Sequence, residues 1–179
     1  MNLIETFQDL IARVPELLQP LIVSLAGAVP FVEGEGAVSI GVIGGIHPVV
    51  AAVAAIVGNF LCVALLVLFG SGARQAIVTR RSEARAVAAV GGSSATHVAV
   101  LEREAPSPRK QKFMRALDRY GVPGVSLLGP LLLPTQFTAT MLAAMGVRKA
   151  RILFWQGLAI VGWTTIVAVI VGGAVYALS

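Results

Sequence analysis

Pro30-Phe31-Val32-Glu33-Gly34-Glu35-Gly36-Ala37 places two acids between long uncharged segments, since residues 17–32 and 36–73 contain no Asp, Glu, Lys or Arg. An ionised acid in hydrocarbon costs several kcal/mol unless it faces a partner or water, so the two carboxylates mark a candidate site. The proline removes a backbone donor, and the two glycines weaken any helix through the acids. We therefore predict a non-helical turn at membrane depth, covered by protein or by a water-filled cavity.

The composition places the chain among integral membrane proteins. Of the 179 residues, 56% are hydrophobic and only 13% are charged, and the mean hydropathy is +0.84. Soluble domains usually carry about a quarter charged residues. The length suits a single membrane domain over residues 1–179. One cysteine, Cys62, excludes an intrachain disulfide and a cysteine-based metal site. The N-terminal region has acids and no basic segment before an apolar core, so we expect no cleavable signal peptide.

The positive charge is concentrated in one part of the chain. Ten of the fourteen Lys and Arg residues lie between Arg74 and Arg119, and three more lie within residues 148–151. Because these residues flank apolar segments, the positive-inside rule explains them better than nucleic-acid binding does. We expect a multi-pass protein of the cell inner (plasma) membrane, with a cytoplasmic loop over residues 74–120 and with membrane lipids, not nucleic acid, as partners.

The first part of the chain, residues 1–73, contains three predicted elements. Residues 1–16 have helical apolar spacing and predict an amphipathic helix at the membrane interface. Residues 17–46 are apolar on both sides of the acidic turn, but each arm is shorter than the about 20 residues that a spanning helix needs. They predict a re-entrant hairpin. Residues 48–73 predict a spanning helix that begins at Pro48, and Asn59 within it should face the bundle interior, where the glutamates are one candidate partner.

The same three elements are predicted again after a basic loop and linker over residues 74–108, of which Arg74–Val90 are able to continue the preceding helix. Residues 109–120 predict a second amphipathic helix. Residues 121–147 are uncharged, but Pro130 and Pro134 interrupt them, so they predict a second hairpin. Residues 152–178 predict the final span.

The fold class that follows is an all-α polytopic membrane protein with two inverted repeats, 1–73 and 109–179. Each repeat consists of an amphipathic helix, a re-entrant hairpin and a transmembrane helix. An offset of about 101 residues aligns Gly45 with Gly146. Inverted repeats with broken helices that meet near the midplane are a transporter design.

The pattern Pro30-x-x-Glu33-x-x-x-Ala37-Val38-x-x-Gly41, together with the Pro/Thr-rich second hairpin, resembles the small multidrug export protein family. It is also similar to the larger DedA/VTT (SNARE-associated) superfamily, whose members have two facing re-entrant hairpins and include proposed lipid carriers and scramblases. The resemblance covers residues 15–179 except the 74–108 loop, and it implies a transporter. Glu35 stands where the family pattern has a basic residue and Ser39 where it has a second proline. No arginine occurs between Arg119 and Arg148, so the arginine-containing motif of DedA proteins is missing.

We predict that proton coupling or substrate binding involves five residues: Glu33, Glu35, Asn59, Thr135 and Gln136. A carboxylate held away from water can take up and release a proton near neutral pH, and two close carboxylates should share one proton. For the two acids, the alternatives are hydration in a water-filled vestibule or capping of the start of the Gly36–Ile46 arm. For the second-hairpin residues, the alternative is hydrogen bonding to nearby backbone groups that the prolines leave unpaired. The hairpin-breaking residues are predicted to be Pro30, Gly34, Gly36, Pro130 and Pro134.

These features together predict a small integral membrane transporter for proton-coupled export or flipping of an amphipathic or lipid-like substrate. Energy-independent lipid scrambling and a non-transporting membrane scaffold are the alternatives. The sequence has no hydrolase, zinc-protease or phosphate-binding motif, so we expect no enzyme, cofactor or metal. Two spans and two hairpins make a small wall around a pathway, and a homo-oligomer is compatible with this.

Overall fold

A computed structural model describes residues 3–90, 108–131 and 133–178, and in these residues every regular element is helical. The side chains of residues 71–110 and 112 lie outside the description, as does the linker predicted over residues 91–107. The α-helices are α1 (Leu3–Arg13), α2 (Gln19–Gly27), α3 (Glu33–Ile43), α4 (Pro48–Val90), α5 (Pro108–Leu128), α6 (Thr135–Ala144) and α7 (Lys149–Leu178). Short 3-10 turns occupy Glu16–Leu18 and Gly129–Leu131.

The first hairpin consists of α2 and α3, which pack against each other and against α4. The amphipathic helix α1 ends at Arg13 because Pro15 follows, and Pro20 lies in the first turn of α2, where a missing backbone N–H costs nothing. The turn between α2 and α3 is shorter than predicted, since only residues 28–32 are non-helical. The prediction that Gly34 and Gly36 break the chain is wrong: both lie inside α3, and a Cβ at Gly34 would collide with Thr164 of α7. The glycine therefore allows close packing between these helices.

Two helices, α4 over Pro48–Gly70 and α7 over Lys149–Leu178, are long and apolar enough to cross a membrane. As predicted, α4 begins at Pro48 and continues through residues 74–90. The two helices pack against each other and both contact α3 and α6. Most residues in the apolar windows of both helices are not buried in the single chain. The exposed ones include on α4 Val49, Val53, Val57, Leu61, Leu65 and Leu68 and on α7 Leu158, Val161, Ile166, Val169 and Ile170.

The second hairpin begins inside α5. At Gly121 the backbone leaves helical geometry (φ 67°, ψ −173°), which separates the predicted amphipathic helix over residues 109–120 from a short apolar arm. The 3-10 turn at Gly129–Leu131 follows, and α6 starts directly after Pro134. Both prolines predicted to break this hairpin lie where helical structure is interrupted or begins.

The two hairpins end in the same backbone motif. Gly45 (φ 91°) follows α3, and its N–H and that of Ile46 donate to the carbonyls of Val42 and Gly41. Gly146 (φ 81°), 101 residues later, follows α6, and its N–H and that of Val147 donate to the carbonyls of Ala143 and Leu142. Both are Schellman caps, which need a residue with positive φ and so favour glycine. The order of amphipathic helix, short helical hairpin and long apolar helix thus occurs twice.

Candidate functional site

Glu33 is the first residue of α3, and its backbone is strained. Its φ is 53° and that of Phe31 is 71°, the left-handed region that residues with a side chain rarely adopt. Such strain costs about 1–3 kcal/mol per residue and persists only where the surrounding structure enforces it. The Glu33 side chain is only 6% exposed although it carries a carboxyl group. The turn therefore directs an acid into the protein instead of towards solvent.

The carboxylate of Glu33 is held by the first residue of α6. The backbone N–H of Thr135 donates to Glu33 Oε1 at 2.5 Å, and the Thr135 hydroxyl donates to the same oxygen at 2.7 Å. The first backbone N–H groups of a helix have no partner within it, and Pro134, at the N-cap, supplies no side-chain cap. Glu33 therefore takes the place of the missing cap from the other hairpin. The positive end of the helix dipole adds to the attraction.

Two amides extend this contact into the spanning helix α4. Asn59 Oδ1 lies 3.2 Å from Thr135 Oγ1 and accepts a 3.3 Å hydrogen bond from Gln136 Nε2. Asn59 is 1% exposed and Gln136 is 3% exposed. Four of the five predicted residues therefore form one buried polar cluster that joins α3, α4 and α6.

Glu35, the fifth predicted residue, lies outside this cluster. It is half-buried and lines, with Glu33, a cleft of about 240 Å³ at the point where the two hairpin turns meet. No hydrogen bond joins the two carboxylates in the described structure, and none of the described bases forms a salt bridge with either. The cleft is lined by Phe31, Val32, Glu33, Glu35, Gly36, Pro130, Leu131 and Trp163. Its wall is therefore apolar and aromatic with two carboxyl groups.

Aromatic side chains pack beside the cleft and connect the two hairpins. The rings of Phe31, in the first turn, and Phe137, on α6, lie 6.1 Å apart between centroids. Trp163 of α7 donates from Nε1 to the carbonyl of Leu127 at 2.8 Å, which ties the second hairpin to the spanning helix. The two turns are thus in direct contact through ring packing as well as through the carboxylate.

Capping of the same arm and local hydrogen bonding, the alternatives to a functional role, can be compared with the observed hydrogen bonds. Glu33 does not cap its own arm, since its hydrogen bonds run to α6. Local bonding occurs at Thr140, another threonine of α6 outside the five predicted residues, whose hydroxyl donates to the carbonyl of Phe137 at 2.9 Å. His47 is an exposed residue at the start of α4, where its Nδ1 accepts from the backbone N–H of Val49.

Two buried polar residues of α7 were missed by the sequence reasoning. Gln156 and Thr164 are 0% exposed, and no hydrogen-bond partner is found for their side-chain polar atoms among the described residues. Thr164 packs directly against Gly34, next to the Glu33 backbone. The available sequence signal was that both are polar residues within a largely apolar segment, where a polar side chain needs a buried partner.

The donor set does not favour a metal. No three His, Cys, Asp or Glu side chains come together in the part of the chain that the structure describes. The Glu33 oxygen is instead saturated by donors from Thr135. The arrangement places one ionisable carboxyl group in the contact between the two hairpins.

Comparison of the chain with known protein families, with curated proteins and with solved structures gives no significant match.

Proposed function

We propose that this protein is a small integral membrane transporter, in which α4 and α7 span the bilayer and the two hairpins enter it from opposite sides as inverted repeats. The apolar side chains exposed along both long helices support insertion, since contiguous apolar surface of this extent is stable only against lipid or a partner. The basic residues between the halves support a cytoplasmic loop and an inner-membrane location. The likeness of residues 30–41 to small multidrug export proteins supports the same assignment.

The observation that carries the proposal is the single carboxylate that joins the two hairpins. Glu33 begins one short helix, and its side chain caps the start of the other. In several transporter folds, the substrate and ion sites lie where the ends of short, broken helices meet near the middle of the membrane. A buried ionisable group at such a point is by default a candidate functional site, because its burial costs free energy that an apolar side chain in the same place would not cost.

The proposed coupling works through the charge of Glu33. While Glu33 is ionised, the two donors of Thr135 and the positive end of α6 hold the carboxylate, and the hairpins stay joined. A proton that enters through the cleft neutralises Glu33, and the two contacts weaken because hydrogen bonds to ions are about twice as strong as neutral ones. The hairpins then separate and the cleft widens for cargo, with Glu35 at its wall. Release of the proton to the other side restores the contact.

The cargo that fits this cleft is amphipathic or lipid-like. The lining is apolar and aromatic, and Phe31 at its edge is 80% exposed. A cleft of about 240 Å³ holds a headgroup or a small ring system, while an apolar tail extends into lipid. A second copy of the chain would close the side of the pathway that two spans and two hairpins leave open.

The test is flipping of a fluorescent NBD-labelled phosphatidylethanolamine in vesicles that contain the purified chain. Coupled transport predicts that a pH gradient drives the label to one leaflet, that Glu33→Gln abolishes this dependence, and that Glu35→Gln in the same cleft keeps it. A Glu33→Gln protein with the flux and pH dependence of wild type would refute the coupling role. Equilibration of the label without a gradient indicates a scramblase, and no movement indicates a scaffold.

A further inference from the structure

The Thr135 hydroxyl has one proton but two acceptors. Its oxygen lies 2.7 Å from Glu33 Oε1 and 3.2 Å from Asn59 Oδ1. A hydroxyl donates a single hydrogen bond and accepts others, so it cannot donate to both oxygens at once. The Thr135 hydroxyl therefore has a choice of acceptor, and the charge of Glu33 favours the carboxylate only while that group is ionised.

Two arrangements satisfy the same heavy-atom positions. With Glu33 ionised, the Thr135 hydroxyl donates to the carboxylate, and Asn59 turns its NH₂ group to donate to Thr135 Oγ1 and to the Gln136 carbonyl. With Glu33 protonated and the hairpins still joined, its O–H donates to Thr135, the Thr135 hydroxyl donates to Asn59 Oδ1, and Gln136 donates to the same oxygen. This arrangement precedes the separation of the hairpins. The two ends of an amide have the same shape, so each arrangement fits the cavity.

We propose that Thr135, Asn59 and Gln136 form a relay that reverses its hydrogen bonds when Glu33 takes up a proton, with Asn59 as the positioning residue that stabilises the protonated form. The proton comes from the cleft and binds a Glu33 carboxylate oxygen, the Thr135 O–H rotates, and the two amides turn. No other bond forms or breaks. The relay rests on the proposed role of Glu33 as the coupling acid, and it carries the protonation state from the hairpin contact into α4.

The other titratable groups around Glu33 are few. Glu35 on α3 and Cys62 on α4 lie close enough to interact with it. Helices α2 and α6 contain no titratable residue, and the described ones of α7 lie near its ends. The acids and the arginine of α1, which also packs on α3, are exposed: Glu5, Asp9 and Arg13.

The relay predicts shifts of opposite sign for two neighbouring substitutions. Thr135→Val removes the hydroxyl that donates to the carboxylate, so Glu33 should protonate at higher pH. After Asn59→Leu the Thr135 hydroxyl still donates to the ionised carboxylate, whereas in the protonated arrangement its buried O–H loses its acceptor, so Glu33 should protonate at lower pH. Each lost buried bond corresponds to about one pH unit, a tenfold change in proton affinity. Thr135→Ser keeps the hydroxyl and should restore the wild-type value. Thr138→Val, the same change at a buried hydroxyl of α6 outside the relay, should leave it unchanged.

The experiment is infrared difference spectroscopy of the full chain in phosphatidylcholine vesicles during a pH titration. The C=O band of protonated Glu33 is the one that Glu33→Gln lacks, and its midpoint is compared among the variants. The wild-type chain gives a second measurement, because it contains only two asparagines, Asn2 and Asn59. With asparagine labelled by carbon-13 at the side-chain carbonyl, the Asn59 band should shift together with the Glu33 band.

Opposite shifts, together with a coupled Asn59 band, support the relay. Midpoints that move in the same direction, or an Asn59 band that does not follow Glu33, overturn it, and the labelled wild-type chain decides this even where a variant fails to fold. Because the spectra need no cargo, they also separate the two proposals. A relay that operates in a protein that moves no lipid leaves the relay standing and refutes transport of that lipid. Coupled transport by a chain without the opposite shifts refutes the relay alone.

Discussion

Replacement of Glu33 by glutamine tests whether the carboxylate charge holds the two hairpins together. Glutamine has nearly the same shape and keeps an oxygen that accepts from Thr135, but it has no charge. Hydrogen bonds to charged groups contribute about 1.5–3 kcal/mol and neutral ones about 0.5–1.5 kcal/mol, so each of the two bonds from Thr135 should weaken by about 1 kcal/mol. The lost attraction to the start of α6 adds a few tenths of a kcal/mol or more. A total of about 2 kcal/mol changes the ratio of separated to joined hairpins about 30-fold.

The separation can be measured between the two turns. Residues 31 and 137 face each other across the hairpin contact, with ring centroids 6.1 Å apart, and both side chains are exposed. Spin labels at these positions in a Cys62→Ala background report the distance by electron paramagnetic resonance. We expect a longer-distance population to grow in Glu33→Gln and in the labelled parent at low pH. Glu35→Gln is the matched control, because this carboxylate lines the same cleft without bonding to α6.

One result would refute the reasoning. If Glu33→Gln and Glu35→Gln give the same distance distribution as the labelled parent at every pH, the charge of Glu33 does not hold the hairpins. The hydrogen bonds to Thr135 would then be a static cap. If only Glu35→Gln changes the distance distribution, Glu35 and not Glu33 holds the hairpins together.

Two further predictions concern the glycines that position the hairpins. Gly58→Ala should lower the free energy of unfolding by about 1–3 kcal/mol, because the new Cβ collides with the backbone carbonyl oxygen of Ser24 in α2. Gly162→Ala, whose Cβ has nothing within 4 Å, should be neutral or slightly stabilising. Thermal unfolding in detergent compares the two variants, and equal effects would contradict this packing. Gly45→Ala and Gly146→Ala should each lower the free energy of unfolding by about 1 kcal/mol because of the positive φ alone, since neither Cβ would meet an atom. The two effects should add in the double variant. A variant as stable as Gly162→Ala would show that its cap is not formed.

Much of the element order could be predicted because it depends on local rules. Proline and glycine set the ends of short helices, and the lengths of uncharged runs separate arms from spans. The start of α4 at Pro48 and the division of the second hairpin by Pro130 and Pro134 follow from such rules. The prediction for Gly34 and Gly36 failed because helix propensity is a weak local term that tertiary packing overrides. At Gly34 the close approach of Thr164 decides the structure, and that residue is far away in the sequence.

The candidate site could be predicted in its members but not in its connections. Rare polar groups in apolar segments identified Glu33, Asn59, Thr135 and Gln136, since burial of such groups needs a partner. Which partner each has is a long-range fact: the bond between Glu33 and Thr135 joins residues 102 positions apart. Nothing local distinguishes Glu33 from Glu35, yet only the first makes this bond, because the strained backbone at its position turns the side chain towards α6.

The repeated architecture explains why one of its halves carries an acid at this point and the other does not. Glu33 begins α3 and Thr135 begins α6, so two helix starts meet, each with a partial positive charge. Two such ends facing each other repel unless an anion lies between them. Two carboxylates would repel each other in turn, whereas one carboxylate opposite a hydroxyl and a backbone N–H lies between the two positive ends and accepts both bonds. In the proposed mechanism the contact is strongest while that single group is ionised, so one difference between two similar halves would make the contact between the hairpins depend on pH.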